Sequence, residues 1–270
     1  MGVTGSVDWE AMRFNAEITL DLASAGLKLP AGRTQAESIL SANYLSLIRP
    51  FLLELRADSS STIGDLVSKG EITLSQADTI MLGGSSVPPA MQPDLRRMSA
   101  SHTVLLSNLS AHLTRHSRPS HILRTLTPVS SAYYTGIIII AAEELPIYAM
   151  RGKALPIPCL FPKIWDSDMN LIYERNTLEA RNITMVHYSS LEKIFQNNPS
   201  GLTPELRQIA GDRPLRIFAR GVFGVNPTDL IIDRSDAMTI ISAEENRRLL
   251  SQGKVVIILN DSVLRYEFGG

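Results

Sequence analysis

Arg216 and Arg220 lie four residues apart on either side of Phe218, and Asp233 and Asp236 follow on the turn from an apolar run into a helical one. Guanidinium groups at even spacing share one face of a strand, where they can hold an anion or a partner's carboxylates through paired N–H donors. Acidic groups at a helix start are stabilised by its dipole and free amides. Arg216, Arg220, Asp233 and Asp236 are therefore the candidate binding patch, against a plainer reading as a solvated strand face and helix caps. Asp229 belongs to the same acidic run and is read as a cap with the others. A hydrolytic carboxylate pair would need two such groups held across a cleft, and no separate feature supports that.

The remaining constellations fall short of known chemistries. His102, His112, His116 and His121 are four of the five histidines, and the i, i+4 pair His112 and His116 has metal-ligand spacing. The residues between that pair include Arg115 and no glutamate, so they read as an exposed polar helix face. Asp166, Asp168 and Asn170 repeat the start of a calcium loop, but Leu171 stands where glycine is needed and Thr177 where a bidentate glutamate is needed. Asx side chains bonding their own turn explain that run better. Gly221 and Gly224 have neither phosphate-loop nor dinucleotide spacing, and no serine-centred nucleophile motif occurs. Cys159 lies in an apolar, proline-flanked run and reads as a buried structural thiol. The sequence predicts a non-enzyme, with no cofactor and no metal.

The elements that position these residues follow from periodicity. Phe14, Ala16, Ile18 and Leu20 alternate with polar neighbours inside a long strand read from Val7 to Leu22. Thr34 and Glu37 have capping-box spacing ahead of a helix whose face is Leu40, Tyr44, Leu47, Ile48 and Phe51, with Pro50 expected to kink or stop it. Two short helices are expected over Ile63–Lys69 and Leu74–Met81, closed by Gly83–Gly84 and Pro88–Pro89, then a strand over Ser99–Leu106 and a short helix over Leu109–His116 before a break at Pro119. A new strand over Thr135–Ala141 follows Pro128 and Ser130–Ser131, and a hairpin joins Lys163–Trp165 to Leu171–Tyr173. Further on come a helix at Leu191–Gln196, strands at Leu215–Ala219 and Leu230–Ile232, and a helix over Ser235–Leu250 with Ser242 and Glu245 at capping-box spacing. A buried strand at Val255–Leu259 ends the series. The fold class is α+β, mixed sheets with packed helices in two lobes. The first lobe is read over 7–127 and the second over 131–264, ending in a strand-helix-strand unit.

Composition fits this reading. The 270 residues are 44% hydrophobic and 20% charged, which suits a folded domain. Lys+Arg 26 against Asp+Glu 27 leaves a net charge of -1, so no global field draws nucleic acid. No apolar run reaches membrane-spanning length; the strongest is Ile137–Ala142. Met1–Ser6 lacks the basic and apolar regions of a signal peptide, so an exported protein would have lost its signal already. Those residues fit a loose myristoylation pattern, but read more simply as a short leader before Val7.

Several blocks together resemble a family of bacterial periplasmic proteins related to the flagellar-associated FlgT and FlgP proteins and to small outer-membrane lipoproteins. They are Glu17–Leu22, Gly32–Glu37, Pro93–Arg97, Tyr134–Ile139, Pro162–Asp166, Leu171–Tyr173 and Thr228–Ile232. The resemblance implies a periplasmic location and a non-catalytic structural or assembly role, with envelope or flagellar proteins as partners. The alternative it leaves is a periplasmic binding module or enzyme for an envelope ligand. The chain departs from the lipoprotein members in offering no N-terminal lipidation cysteine. It also carries Ala141-Ala142-Glu143-Glu144 where relatives have Asp-Ala-Arg-Gly. The resemblance brings no catalytic residue with it.

Overall fold

A computed structural model describes residues 1–114, 120–125, 131–179 and 184–268. The chain opens with β1 (Gly2–Asp8), β2 (Arg13–Asp21), α1 (Gly32–Leu53), α2 (Ile63–Ser68), α3 (Leu74–Leu82), β3 (Ser85–Met91), β4 (Arg97–Leu105) and α4 (Leu106–Leu113). It continues through β5 (Ile137–Ile140), β6 (Leu145–Pro146), β7 (Lys153–Ala154), β8 (Ile164–Asp166), β9 (Leu171–Tyr173), β10 (His187–Ser190), α5 (Pro204–Ala210), β11 (Leu215–Phe218), β12 (Gly221–Phe223) and β13 (Asp229–Ile232). Last come α6 (Arg234–Ser242), α7 (Glu244–Ser251), β14 (Val255–Leu259), α8 (Asp261–Leu264) and β15 (Arg265–Phe268). The chain is α+β and two-lobed, and its contacts divide it into two units: residues 1–55, 62–109 and 265–270 in the first, 56–61 and 110–264 in the second. Pro119, Pro128, Ser130 and the lobe boundary read near residue 130 lie outside the described residues, as do Arg115 and His116 of the histidine pair.

The first unit is built on an antiparallel sheet in the order β15-β1-β2-β4-β3. Phe14, Ala16, Ile18 and Leu20 form the buried side of β2, as their alternation requires. The long N-terminal strand is instead a hairpin: β1 pairs with β2 in register from Gly2↔Thr19 to Asp8↔Arg13, and Met12 takes a positive φ in the turn. The leader residues before Val7 thus belong to the sheet. β1 also pairs with β15, which brings the C-terminal strand back to this unit. Against the sheet lies α1, whose Ala36, Leu40, Ile48 and Leu52 recur at multiples of four and are buried. It starts at Gly32, so Thr34 falls inside the first turn and the expected capping box does not form; Arg33 pairs with Glu37 instead. Pro50 sits within the helix, which runs on to Leu53. Both α2 and α3 carry capping boxes, from Thr62 and Asp65 and from Thr73 and Gln76. Pro88–Pro89 does not end the helical segment in a loop. It lies at a register shift in β3, an edge strand where a missing N–H costs no ladder bond.

The second unit holds a parallel sheet in the order β10-β14-β5-β11 and a mixed one in the order β12-β13-β8-β9. All four residues of β5 and all five of β14 are buried, which suits a parallel sheet covered on both faces. Ile138, Ile140, Val256 and Ile258 pack on one face with Ile194, Leu202, Leu206 and Ala210. The hairpin between β8 and β9 forms as read. The helix expected at Leu191–Gln196 is a 3-10 turn over Leu191–Ile194. The helix expected over Ser235–Leu250 is broken at Ala243, whose extended backbone separates α6 from α7. Ser242 therefore ends α6 rather than capping α7, and its hydroxyl donates to the Met238 carbonyl.

Candidate functional site

In β11, Leu215 and Ile217 point inward while Arg216 and Phe218 are exposed, because side chains alternate across a strand. Among the described residues, β11 is the last strand of its sheet and pairs with β5 alone. Phe218 is 62% exposed. Two residues on, Arg220 Nε donates to Asp233 Oδ2 at 2.6 Å, and the Arg220 amide donates to the Ile231 carbonyl. Asp233 is the N-cap residue of α6 by backbone geometry, but its side chain makes no capping bond. Asp236 lies in the first turn of α6, where burial and the neighbouring Asp233 charge push its carboxyl above the usual range while Arg220 opposes them.

The four patch residues are thus not one cluster. Arg220, Asp233 and Asp236 form a surface charge group at the start of α6, with Arg220 two residues beyond Phe218 in the chain. Arg216 is engaged elsewhere, since its Nη2 donates to the Ser200 carbonyl at 2.8 Å and its Nη1 to the Ile194 carbonyl at 3.3 Å. It fastens the segment after β10 to the sheet edge. Gly201 lies close under that guanidinium with φ +66, where an added Cβ would come within 3.1 Å of Nη2.

Asp229 does not cap α6. It lies inside β13, 1% exposed, and accepts hydrogen bonds from Ser59 Oγ at 3.1 Å, the Lys163 amide at 3.1 Å, Trp165 Nε1 at 3.4 Å and Thr228 Oγ1 at 3.3 Å. Burial raises its carboxyl pKa and these donors oppose the rise. Its partner Ser59 sits in the 56–61 segment, which is further held by the Leu160 amide on Arg56 O and the Phe161 amide on Ala57 O. Gly224, at φ +110, leaves room for Ser59, since a Cβ there would come within 2.4 Å of the Ser59 Cβ. The arrangement is a structural fastener.

The other candidates are also structural. Asp166 Oδ1 accepts from the amides of Asp168 and Asn170, and its Oδ2 accepts from Asn170 Nδ2, so the run that mimics a calcium loop closes its own turn. Cys159 is buried, and burial pushes its thiol pKa up. The Tyr188 hydroxyl accepts from the Cys159 amide and donates to its carbonyl, locking the proline-flanked run. A cavity of about 470 Å³, which no motif in the sequence marks, is lined in part by Arg124, Glu179, Glu244, Arg247 and Arg248. Arg248 pairs there with Glu244 at 2.6 Å, Ser251 donates to Glu179, and Arg247 donates to the Ile241 carbonyl.

Comparison with known proteins bears on descent rather than chemistry. No curated protein matches the chain. Residues 1–112 match the family described as Treponema pallidum Tp0624, N-terminal domain, and residues 136–261 match that described as Treponema pallidum Tp0624, second domain. These matches name Tp0624 domains, where the sequence blocks had suggested flagellar-associated relatives. Following one another in the same order and together spanning most of its length, the two matches make the chain similar, unit by unit, to the N-terminal and second domains of the bacterial protein Tp0624.

Proposed function

We propose that the protein is a non-catalytic component of the bacterial cell envelope, acting in the periplasm, that docks an extended segment of another envelope protein along β11. The observation that carries this reading is an exposed aromatic on a sheet edge paired on one side only: Phe218 on β11. Such an edge offers backbone donors and acceptors to an added strand, and alternate side chains give the contact its specificity. Phe218 supplies an apolar anchor of the kind that dominates binding energy at interfaces. The Arg220–Asp233 pair, whose arginine follows Phe218 by two residues, supplies a polar rim, 63% and 37% exposed at its two side chains. Flagellar and outer-membrane proteins are the partner class that the envelope reading favours.

The test places a photo-activatable crosslinking residue at Phe218 in cells that make the protein with its own leader. A discrete adduct with an envelope protein in the periplasmic fraction, lost on Arg220→Glu, is the expected result. A cytosolic location, or adducts only with further copies of the chain, would overturn the proposal. The second reading, a binding module for an envelope ligand, draws support from a cavity in the first unit.

A further inference from the structure

In the first unit, β4 turns Met98, Ala100, His102 and Val104 to the same side as the buried residues of β2, through the pairs Leu20↔Met98, Ile18↔Ala100, Ala16↔His102 and Phe14↔Val104. His102 is the one polar side chain in that row and is 3% exposed. Its Nε2 lies 2.6 Å from the Met81 carbonyl. A carbonyl only accepts, so Nε2 carries the proton and Nδ1 is left with a free lone pair. That Nδ1 is buried with no hydrogen-bond partner among the described residues. The Tyr44 ring of α1 packs edge-on against the imidazole, centroids 4.6 Å apart, and the Tyr44 hydroxyl is also buried without a partner among the described residues. Burial keeps that phenol protonated, so it can donate.

Both residues line a cavity of about 240 Å³, together with Leu40 of α1, Leu82 of α3, and Val87 and Pro88 of β3. Its mouth is apolar: Leu82 is 62% exposed and Val87 60%. The break in pairing between Val87 and Ala90 falls at the same place. The fold also makes room for the histidine. A Cβ on Gly84 would come within 2.5 Å of both His102 Nε2 and the Thr103 carbonyl, so glycine is needed there. Ser41, Ser86 and Ser101 complete the lining. Neither orphaned atom reaches the accessible surface of the cavity as the side chains stand, so a ligand meets them only as the Tyr44 ring turns aside. A buried acceptor and a buried donor left unpaired favour such a ligand, because each is costly without one.

We propose that this cavity is a binding site for a small, uncharged, largely apolar molecule carrying one hydroxyl group, held between His102 Nδ1 and the Tyr44 hydroxyl. A hydroxyl can give its proton to the imidazole and accept one from the phenol, which satisfies both groups at once. The volume lies below the roughly 300–1,000 Å³ of drug-sized pockets, so the ligand is of fragment size. The site does not depend on docking at β11.

The test uses benzyl alcohol and toluene, which differ by the hydroxyl, titrated into the full chain with labelled methyl groups and labelled histidine. Benzyl alcohol should shift the Leu82 and Val87 methyl signals and the His102 Nδ1 resonance saturably, and toluene should bind about tenfold more weakly. Tyr44→Phe should bring the alcohol close to the toluene level, while Val87→Trp, which fills the mouth from an exposed position, should weaken both probes without loss of the folded spectrum. Equal affinity for the two probes, no saturable shift with either, or shifts unchanged in the Val87→Trp protein would each overturn the proposal.

Discussion

Asp229 in the second unit and His102 in the first are both ionisable side chains buried within an apolar wall, and the two are satisfied to opposite degrees. Asp229 receives the Ser59, Lys163, Trp165 and Thr228 donors on its two oxygens. His102 uses one ring nitrogen, on the Met81 carbonyl, and leaves the other without a partner. A buried polar group whose bonds are all made locally ties chain segments together, and its removal strands several donors. One whose bonds are half made does less for the fold and has capacity for something else. The largest expected effect follows: Asp229→Ala should cost about 3 kcal/mol, because it leaves buried donors unsatisfied as well as opening space. Asp229→Asn, which keeps an acceptor, should cost roughly half of that. Urea unfolding in a Trp9→Phe background measures it, since Trp165 is then the chain's remaining tryptophan and lies beside Asp229. A loss no greater than that of removing an exposed carboxylate would erase the contrast.

Acid should affect the two residues in opposite senses. Burial lowers the His102 pKa below its ordinary 6.5, so between the folded and unfolded values the unfolded chain holds more protons. Stability from this group is complete above 6.5 and falls as the pH drops towards the folded value. For Asp229 the folded pKa lies above the ordinary 3.8, so the folded chain holds more protons in the window above 3.8. Its contribution therefore grows as the pH falls through the folded value and is lost as the pH rises. Followed through Trp9 in a Trp165→Phe background, the first unit should lose urea resistance from about pH 7.5 to about pH 5, and His102→Phe should flatten that loss. The second unit should gain on its Asp229→Asn counterpart as the pH is lowered towards about 4. Parallel pH responses in both units would mean that the two environments are alike after all.

Much of the scaffold for both residues is legible in the sequence, and their surroundings are not. The alternation at Phe14–Leu20 and the β-branched runs at Ile137 and Val255 fix β2, β5 and β14, because burial of one or both faces writes itself into local order. His187–Ser190 is a strand whose last three residues are buried, yet its Tyr-Ser-Ser run carries no apolar signal by which to find it. The short α5 escapes the apolar pattern too, and the one local mark of it is Pro204 after Thr203, a proline at a helix start. Capping-box spacing misleads at Thr34 and Ser242, since the helices begin at Gly32 and Glu244, while Thr62–Asp65 and Thr73–Gln76 form true boxes. Arg216 has the strand parity of a binding residue, but its partners Ile194 and Ser200 come from a distant segment. The clue to the cavity is a histidine at an inward position of an alternating strand. Its other parts, Tyr44, Val87 and Pro88 among them, come together only through the pairing of β3 with β4 and the packing of α1.

The smallest expected effect is the most discriminating, because it changes a single atom. Tyr44→Phe removes a hydroxyl that is buried and unpaired and leaves the ring that packs on His102. If that hydroxyl helped to hold the fold, its loss would cost about 1 kcal/mol, the net value of an ordinary hydrogen bond. Because the group has been taken out of water with no partner, its removal should instead leave the urea midpoint unchanged or raise stability by up to about 1 kcal/mol. The comparable change in the second unit is Tyr188→Phe. That hydroxyl both accepts from and donates to the Cys159 backbone, and its loss should cost roughly 1–3 kcal/mol. Unfolding of the two variants by urea, each read through the tryptophan of its own unit, gives the answer. Opposite signs would place Tyr44 with groups kept for a ligand and Tyr188 with groups kept for the fold, whereas equal losses would put a partner on the Tyr44 hydroxyl and take away the donor half of the proposed site.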